Sequence, residues 1–194
     1  MTVTKFSHLT PAERSEVETC IHEAGHALVA AVYGATIREV IVARSKVTGQ
    51  LGRTTFDALD DDPATARWRA ASCYAGPWAH ARFVALTQGR DRPTSHDIGR
   101  IMQYSGDGDG LKLQRLGGTD RPAVAEVLIR CWPNVVSLAK VLHRTGHAGH
   151  AHVLACLGIE PGGDPAAVDL ALMNIRAGAV PGSFTVTTPQ TVAV

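Results

Sequence analysis

The chain has 194 residues and a formal net charge of +1, which is long enough for one domain with a substantial core and gives no basis for binding nucleic acid or an acidic membrane. Residues 1–7 lack the apolar segment of a signal peptide, and no apolar run approaches the ~18–20 residues of a membrane span. The four cysteines lie far apart without a CxxC pair. This usage is typical of reduced core thiols and predicts a cytoplasmic protein.

The first predicted element is a long helix. Thr10, Pro11 and Glu13 form a capping box with proline at the first helical position, and Gly34 ends the pattern. Between these signals, apolar residues recur at three- and four-residue steps and predict a stripe that faces the core. The stripe consists of Val17, Ile21, Ala24, Leu28 and Ala31.

This helix carries His22-Glu23-Ala24-Gly25-His26, an H-E-x-x-H sequence. Residues four apart share one face of a helix, so both imidazoles can bind a single Zn²⁺ at about 2.0–2.1 Å. The glutamate then lies beside the metal, where a carboxylate can accept a proton from zinc-bound water. The motif therefore predicts a zinc site with Glu23 as the general base.

Two strands and a second long helix follow. Residues 37–43 are β-branched and predict a strand, and residues 51–56 predict a second, more polar strand. Asp60, Asp61, Asp62 and Pro63 predict the start of a helix over residues 64–86, disturbed near Pro77 because proline removes a helical hydrogen bond.

The second half of the chain predicts mainly helices. The glycine-rich residues 105–119 predict a loop, and residues 178–194 predict a disordered tail. Caps and apolar spacing predict four helices: from Thr94 or Ser95 to Tyr104, over 121–143 with a break near Pro133, over 150–157, and a weak one over 166–176.

Two histidines leave zinc under-ligated, and the third ligand is open from spacing alone. Val32 stands where a longer H-E-x-x-H-x-x-G-x-x-H motif would need histidine, and no glutamate lies between Glu39 and Glu126. Aspartates remain, and Asp97 is held rigidly in the first turn of its predicted helix. It can equally be a carboxylate that stabilises that helix N-terminus. The other candidates are Asp57, Asp60, Asp61, Asp62 and Asp91.

Residues 21–31 resemble the protease domain of FtsH-type ATP-dependent zinc metalloproteases. Residues 49–56 are similar to that family's substrate-facing strand, residues 74–80 to its Leu-Gly-Gly-Arg-Ala-Ala-Glu helix, and residues 125–159 to its last helices. Residues 95–98, Ser-His-Asp-Ile, resemble a segment whose aspartate is the family's third zinc ligand. The similarity covers about residues 15–160 in the family's order.

The resemblance implies a mainly α (α+β) fold, a helical zincin-type peptidase domain with a small β element over residues 1–160. Residues 161–194, rich in Pro, Gly and Thr, would follow as a partly disordered tail. The resemblance also implies one Zn²⁺ per chain, held by His22, His26 and Asp97, with Glu23 as the base. It further implies that peptide substrate binds along the second strand, at Leu51, Gly52, Arg53, Thr54, Thr55 and Phe56.

We therefore expect a zinc-dependent endopeptidase that acts on peptides or unfolded protein segments. FtsH proteins carry an AAA ATPase and membrane segments. The 194-residue sequence contains no G-x-x-x-x-G-K-[ST] motif, the phosphate-binding loop of such ATPases. The protein would therefore work without an ATPase of its own, or receive unfolded chains from a separate unfoldase. FtsH proteases form hexameric rings through modules not found in this sequence, so the sequence leaves the oligomeric state open.

Two other functions remain open. The protein could be a catalytically silent binding or regulatory module that keeps the metal fold, although such a module has no use for Glu23. The zinc could also be purely structural, with His80 or His96 as a fourth protein ligand.

Two further histidine features have ordinary explanations. His80 stands where the FtsH family has glutamate and is typical of a partly buried, hydrogen-bonded helix residue. A cluster at His143, His147, His150 and His152 could bind a second metal. Gly146 and Gly149 break its helical frame, which favours a solvated turn.

Overall fold

The computed structural model describes residues 9–43, 52–57, 63–104 and 108–186, with residues 63–66 described without their side chains. Helices dominate this part of the chain and a small antiparallel sheet accompanies them, which confirms the predicted mainly α (α+β) class. The elements are α1 Pro11–Val32, β1 Thr36–Val42, β2 Gly52–Asp57, α2 Pro63–Thr87, α3 Ser95–Tyr104, α4 Asp109–Arg115, α5 Arg121–Arg130, α6 Trp132–Thr145, β3 His147–Ala148, α7 His150–Cys156 and α8 Pro165–Ala177.

Helix α1 is the centre of the core. Its predicted capping box is confirmed: the Thr10 hydroxyl accepts from the Glu13 N–H at 3.3 Å, and the Glu13 carboxylate accepts from the Thr10 N–H at 2.8 Å. Every residue from Cys20 to Val32 is buried. The sequence predicts a single apolar stripe, but this part of the helix is covered on all sides, and its polar side chains are limited to His22, Glu23 and His26.

Helix α2 packs closely against α1 because both helices carry small residues at the contact. A Cβ on Gly25 would lie 2.7 Å from the Ala79 Cβ and 2.8 Å from the Ala75 carbonyl oxygen, so no larger residue fits there without a shift. The helix assignment continues through Pro77, where the sequence predicts a disturbance. Residues 60–62, predicted to cap this helix, lie outside the described residues.

The sheet has the order β2-β1-β3 and is antiparallel throughout. Its register pairs Val40 with Thr54 and with Ala148 on the other side, so β2 is an outer strand. Strand β1 buries Ile37 and Val40 against the core. Both predicted strands are confirmed to within one residue at each end.

The region between α3 and α5 differs from its prediction. The sequence predicts a loop over 105–119, but Asp109–Arg115 form helix α4, which packs on α2 with Leu113 buried. Gly108 precedes the helix with φ +65°, a left-handed conformation that glycine adopts without steric cost. This short helix delivers Asp109 to the interior.

The C-terminal helices complete the core. The predicted break near Pro133 is confirmed at Cys131, which ends α5 and begins α6. Helix α8 confirms the weak helix predicted over 166–176, and it contacts α1 and buries Ile175 completely, so this part of the predicted tail belongs to the core. The sequence predicts disorder from Gly178 onward, but Phe184 packs against the core. Residues 187–194 lie outside the described residues.

The cysteines largely occupy core positions, as predicted, and so do the tryptophans. Cys20, Cys73 and Cys131 are buried free thiols, and Cys156 is a partly buried one. Trp68 and Trp78 belong to the core, and Trp132 packs against it. None of the helices in the described ranges combines the length and apolar character needed to cross a bilayer.

Candidate metal centre

The two histidines of the H-E-x-x-H sequence face each other on successive turns of α1. Their Nε2 atoms are 2.9 Å apart, and their ring planes are nearly perpendicular at 75°. Both side chains are almost fully buried in the core. The helix therefore holds two nitrogen donors at one point, as the i, i+4 spacing predicts.

Asp109 brings a carboxylate to the same point from the first turn of α4. Its Oδ2 lies 3.1 Å from the His22 Nε2 and 3.3 Å from the His26 Nε2. Only 2 % of the residue is exposed to solvent. Among the residues that the structure describes, these three form the one group of His, Cys, Asp or Glu donors close enough to share a metal ion.

The three donors fit zinc in type and in spacing. Two imidazole nitrogens and one carboxylate oxygen form a common zinc donor set, and three protein ligands leave a fourth position for water or substrate. Ligands about 2.0–2.1 Å from a tetrahedral zinc are about 3.3 Å apart. The observed separations of 2.9, 3.1 and 3.3 Å lie close to this value.

Helix α2 orients His26 for metal binding. The His26 Nδ1 lies 2.8 Å from the Ser72 carbonyl oxygen, so the Nδ1–H donates to that oxygen and Nε2 is left to bind a metal. The Ser72 hydroxyl in turn donates to the His26 carbonyl at 3.1 Å. A Cβ on Gly76 would overlap the His26 imidazole, so the absence of a side chain there makes room for the ring.

The three side chains of the donor group shift one another's pKa values. Burial lowers the pKa of His22, and the neighbouring His26 lowers it further. Burial acts in the same direction on His26, but Asp109 and Glu23 outweigh it and raise the pKa of that imidazole. Burial would raise the pKa of Asp109, but the two imidazoles hold it well below its ordinary value. These opposed shifts favour a protonated His26 beside a neutral His22, with the ionised Asp109 carboxylate next to both. A divalent cation would replace that proton.

Glu23 lies beside the cluster and is held by strand β2. Its Oε2 accepts a hydrogen bond from the Thr54 hydroxyl at 2.6 Å. A Cβ on Gly52 would lie 2.6 Å from the Glu23 Oε1, so the strand backbone passes directly over this carboxylate. Glu23 is 2 % exposed. The strand thus fixes the orientation of the predicted base.

Asp97 is not brought to the two histidines. Its Oδ2 accepts from the Thr94 N–H, the Thr94 hydroxyl and the Arg90 guanidinium, each at 2.8 Å. The Thr94 hydroxyl accepts from the Asp97 N–H at 3.2 Å, which completes a capping box for α3. These hydrogen bonds, with the Arg90 bond the strongest effect, hold the pKa of Asp97 below its ordinary value. The ligand assignment to Asp97 is therefore corrected: Asp109 is the carboxylate beside the histidines.

Asp109 was not among the predicted ligands because the segment around it is rich in glycine. One signal was present: Asp109, Leu113 and Leu116 follow at four- and three-residue steps, the spacing of one helical face. Leu113 is buried and Leu116 packs against the core. That face points inward and carries the carboxylate with it.

The remaining histidines that the structure describes do not belong to the donor group. The His80 Nε2 is 3.5 Å from the Glu18 Oε2, and its ring centroid is 5.9 Å from that of His22. His96 is exposed on α3. In the C-terminal cluster, the His150 Nδ1 accepts from the Ile37 N–H and the His152 Nδ1 accepts from the Gly149 N–H. Within the described ranges, this cluster forms no metal-binding group.

A cleft of about 530 Å³ opens beside the cluster. Glu23 and His26 line it, together with side chains from β2, α2 and α4. Four of the predicted substrate-binding residues, Arg53 to Phe56, line this cleft, and Gly52 lies against Glu23. Leu51, the remaining one, lies outside the described residues.

Comparison with protein-family models and with curated protein sequences found no match to this chain. Its function therefore has to be inferred from the chemistry of the site itself.

Proposed function

We propose that the protein is a zinc-dependent endopeptidase of the zincin type, related in its site to the FtsH proteases that the sequence resembles. His22, His26 and Asp109 would hold one Zn²⁺ per chain, and Glu23 would act as the general base. One observation carries this proposal: three zinc-type donors converge within 3.3 Å of one another beside a buried glutamate, at the edge of an open cleft.

The role of Glu23 follows from its position. Zinc bound at this site would supply a Lewis acid that acidifies water and polarises the peptide carbonyl. The Glu23 carboxylate would accept the proton of the attacking water and then transfer it to the amide nitrogen that leaves. The 2.6 Å hydrogen bond from the Thr54 hydroxyl to the Glu23 Oε2 holds this carboxylate in place beside the donor cluster.

Strand β2 supports binding of an extended peptide. It is an outer strand of the sheet, and its residues Arg53 to Phe56 line the cleft that contains Glu23. A peptide can add to such an edge through main-chain hydrogen bonds, which depend little on its sequence. The scissile bond would then lie next to the donor cluster.

The substrates would be peptides or unfolded segments, because a folded chain cannot present an extended strand to this cleft. A separate unfoldase as the supplier stays a prediction from the FtsH resemblance. The four free thiols fit the predicted cytoplasmic location.

A Glu23→Gln substitution tests the proposal directly. The variant keeps the side-chain volume and all three donors, so zinc content by elemental analysis should stay at one per chain. Hydrolysis of an internally quenched peptide library should fall by about 10²–10⁴-fold, because glutamine cannot accept the proton. Unchanged hydrolysis in Glu23→Gln, or none in the zinc-loaded wild type, would rule out this endopeptidase mechanism. Zinc binding without hydrolysis would favour a regulatory module.

A further inference from the structure

The cleft beside the donor cluster is strongly basic. Four of its lining residues are cationic: Arg53 on β2, Arg69 on α2, and Lys112 and Arg115 on α4. Glu23 is the one carboxylate among the lining residues that the structure describes. The whole chain has a net charge of only +1, so this excess is a local feature and not a reflection of composition.

Three of these cations are free to meet a ligand. Arg53, Lys112 and Arg115 are exposed, and none of them forms an ion pair with the described residues. Lys112 follows Asp109 by three residues and Arg115 follows Lys112 by three, so each side chain lies beside the preceding one on the surface of α4. The helix that supplies the carboxylate therefore also supplies positive charge to the cleft.

We propose that this cleft selects acidic polypeptide segments, with Arg53, Lys112 and Arg115 binding Asp or Glu side chains on either side of the scissile bond. The inference rests on the proposed function because it takes this cleft as the substrate site. It adds the substrate class, which neither the H-E-x-x-H sequence nor the donor geometry determines.

The residues that line the cleft favour a peptide over a single-stranded nucleic acid. Bases bind such clefts by stacking on exposed aromatic rings. The aromatic ring that lines this cleft, Phe56, already packs on Trp68 with their centroids 4.7 Å apart. The outer strand β2 instead offers main-chain groups to an extended polypeptide.

Binding of three matched peptides tests the proposal without turnover. The full-length, zinc-loaded Glu23→Gln protein is titrated into fluorescein-labelled peptides of one sequence that carry three Glu, three Gln or three Lys around a common centre. We expect affinity in the order Glu, Gln, Lys. Each exposed charge pair contributes about 1.5- to 5-fold, so the Glu and Lys peptides should differ by at least about tenfold. The difference in affinity should shrink near 1 M salt, where the Debye length is about 3 Å and exposed charges are largely screened from one another.

Charge reversal provides the matched variants. Lys112→Glu with Arg115→Glu should reduce affinity for the Glu peptide about tenfold and improve affinity for the Lys peptide. Lys140→Glu with Arg144→Glu makes the same change in total charge at exposed positions on α6, away from this cleft. That control should keep the wild-type order, and melting temperatures should show that both variants fold.

Equal affinity for the three peptides would overturn the inference, as would a preference that survives reversal of Lys112 and Arg115. Stronger binding of a single-stranded oligonucleotide than of the Glu peptide would overturn it in favour of nucleic acid. Because binding is measured without hydrolysis, the two proposals fail separately. If the protein prefers the Glu peptide but cleaves no peptide, the endopeptidase proposal fails and the proposal of an anion-binding cleft stands.

Discussion

Asp97 and Asp109 lie in the first turns of neighbouring helices, yet they have different roles. Asp97 is partly exposed, and its Oδ2 is engaged by Thr94 and Arg90 at the start of its own helix. Asp109 is buried, follows Gly108, which offers no side-chain cap, and lies against two imidazoles of α1. A position in the first turn of a helix therefore does not decide whether an aspartate caps that helix or is available to a metal ion. The groups that contact the carboxylate decide it.

The largest effect should separate the two aspartates as zinc ligands. Asp109→Asn keeps the side-chain shape but removes a charged ligand. It should weaken zinc binding by more than the about 10–100-fold that follows the loss of an outer-shell partner. Asp97→Asn should change zinc affinity by less than about twofold, because its carboxylate is used within α3. Competition with a chromophoric chelator measures both. The reverse result would assign the third ligand position to Asp97, as in the FtsH family, and would contradict the different roles inferred for the two aspartates.

Two glycine-to-alanine substitutions compare the space around the His26 imidazole with the space around α3, the helix that carries Asp97. Gly76→Ala places a methyl group against the His26 imidazole, and overpacking of this kind costs about 1–3 kcal/mol of unfolding free energy. It should also weaken zinc binding by displacing the ring. Gly99→Ala lies on α3 with no atom within 4 Å of the new methyl group. This control should be neutral or stabilising by up to about 1 kcal/mol, as expected for alanine in a helix.

Equal behaviour of the two glycine variants, in chemical denaturation and in chelator competition, would mean that α2 does not confine His26.

The smallest effect concerns stability at Asp97. Asp97→Asn should lower the free energy of unfolding by about 0.3–1 kcal/mol at neutral pH because it removes a negative charge from the first turn of α3. The folded-state pKa of Asp97 is lowered from 3.8, so its charge stabilises the fold above about pH 3.8. That contribution is lost as the pH falls through the lower folded-state value. Urea denaturation at pH 7 and pH 3 should show a smaller difference between variant and wild type at the lower pH. A difference independent of pH would show that charge does not contribute.

Much of the fold could be read from local signals. The cap at Thr10, the H-E-x-x-H spacing and the β-branched run before Val42 act within a few residues, and the structure agrees with each. Helix α4 could not be read this way, because Gly108 and Gly110 weaken its local preference and packing of Leu113 on the core stabilises it.

The third ligand shows how a family resemblance and local chemistry can disagree. The Ser-His-Asp-Ile segment resembles a ligand segment, but Thr94 three residues before Asp97 also completes a capping-box pattern. The structure follows the second signal. Sequence spacing alone left these two roles open, and it could not show that the inward face of α4 would bring Asp109 to α1.

The burial of α1 has a consequence for hydrogen exchange at the site. Because Cys20 to Val32 are covered on all sides, their amide hydrogens can exchange with deuterated solvent only when the whole domain opens. A ligand that binds only the folded protein raises the free energy of that opening by its full binding contribution. Zinc should therefore slow deuterium uptake from Cys20 to Val32 by a common factor, and protection should not be confined to the turn that carries the two histidines.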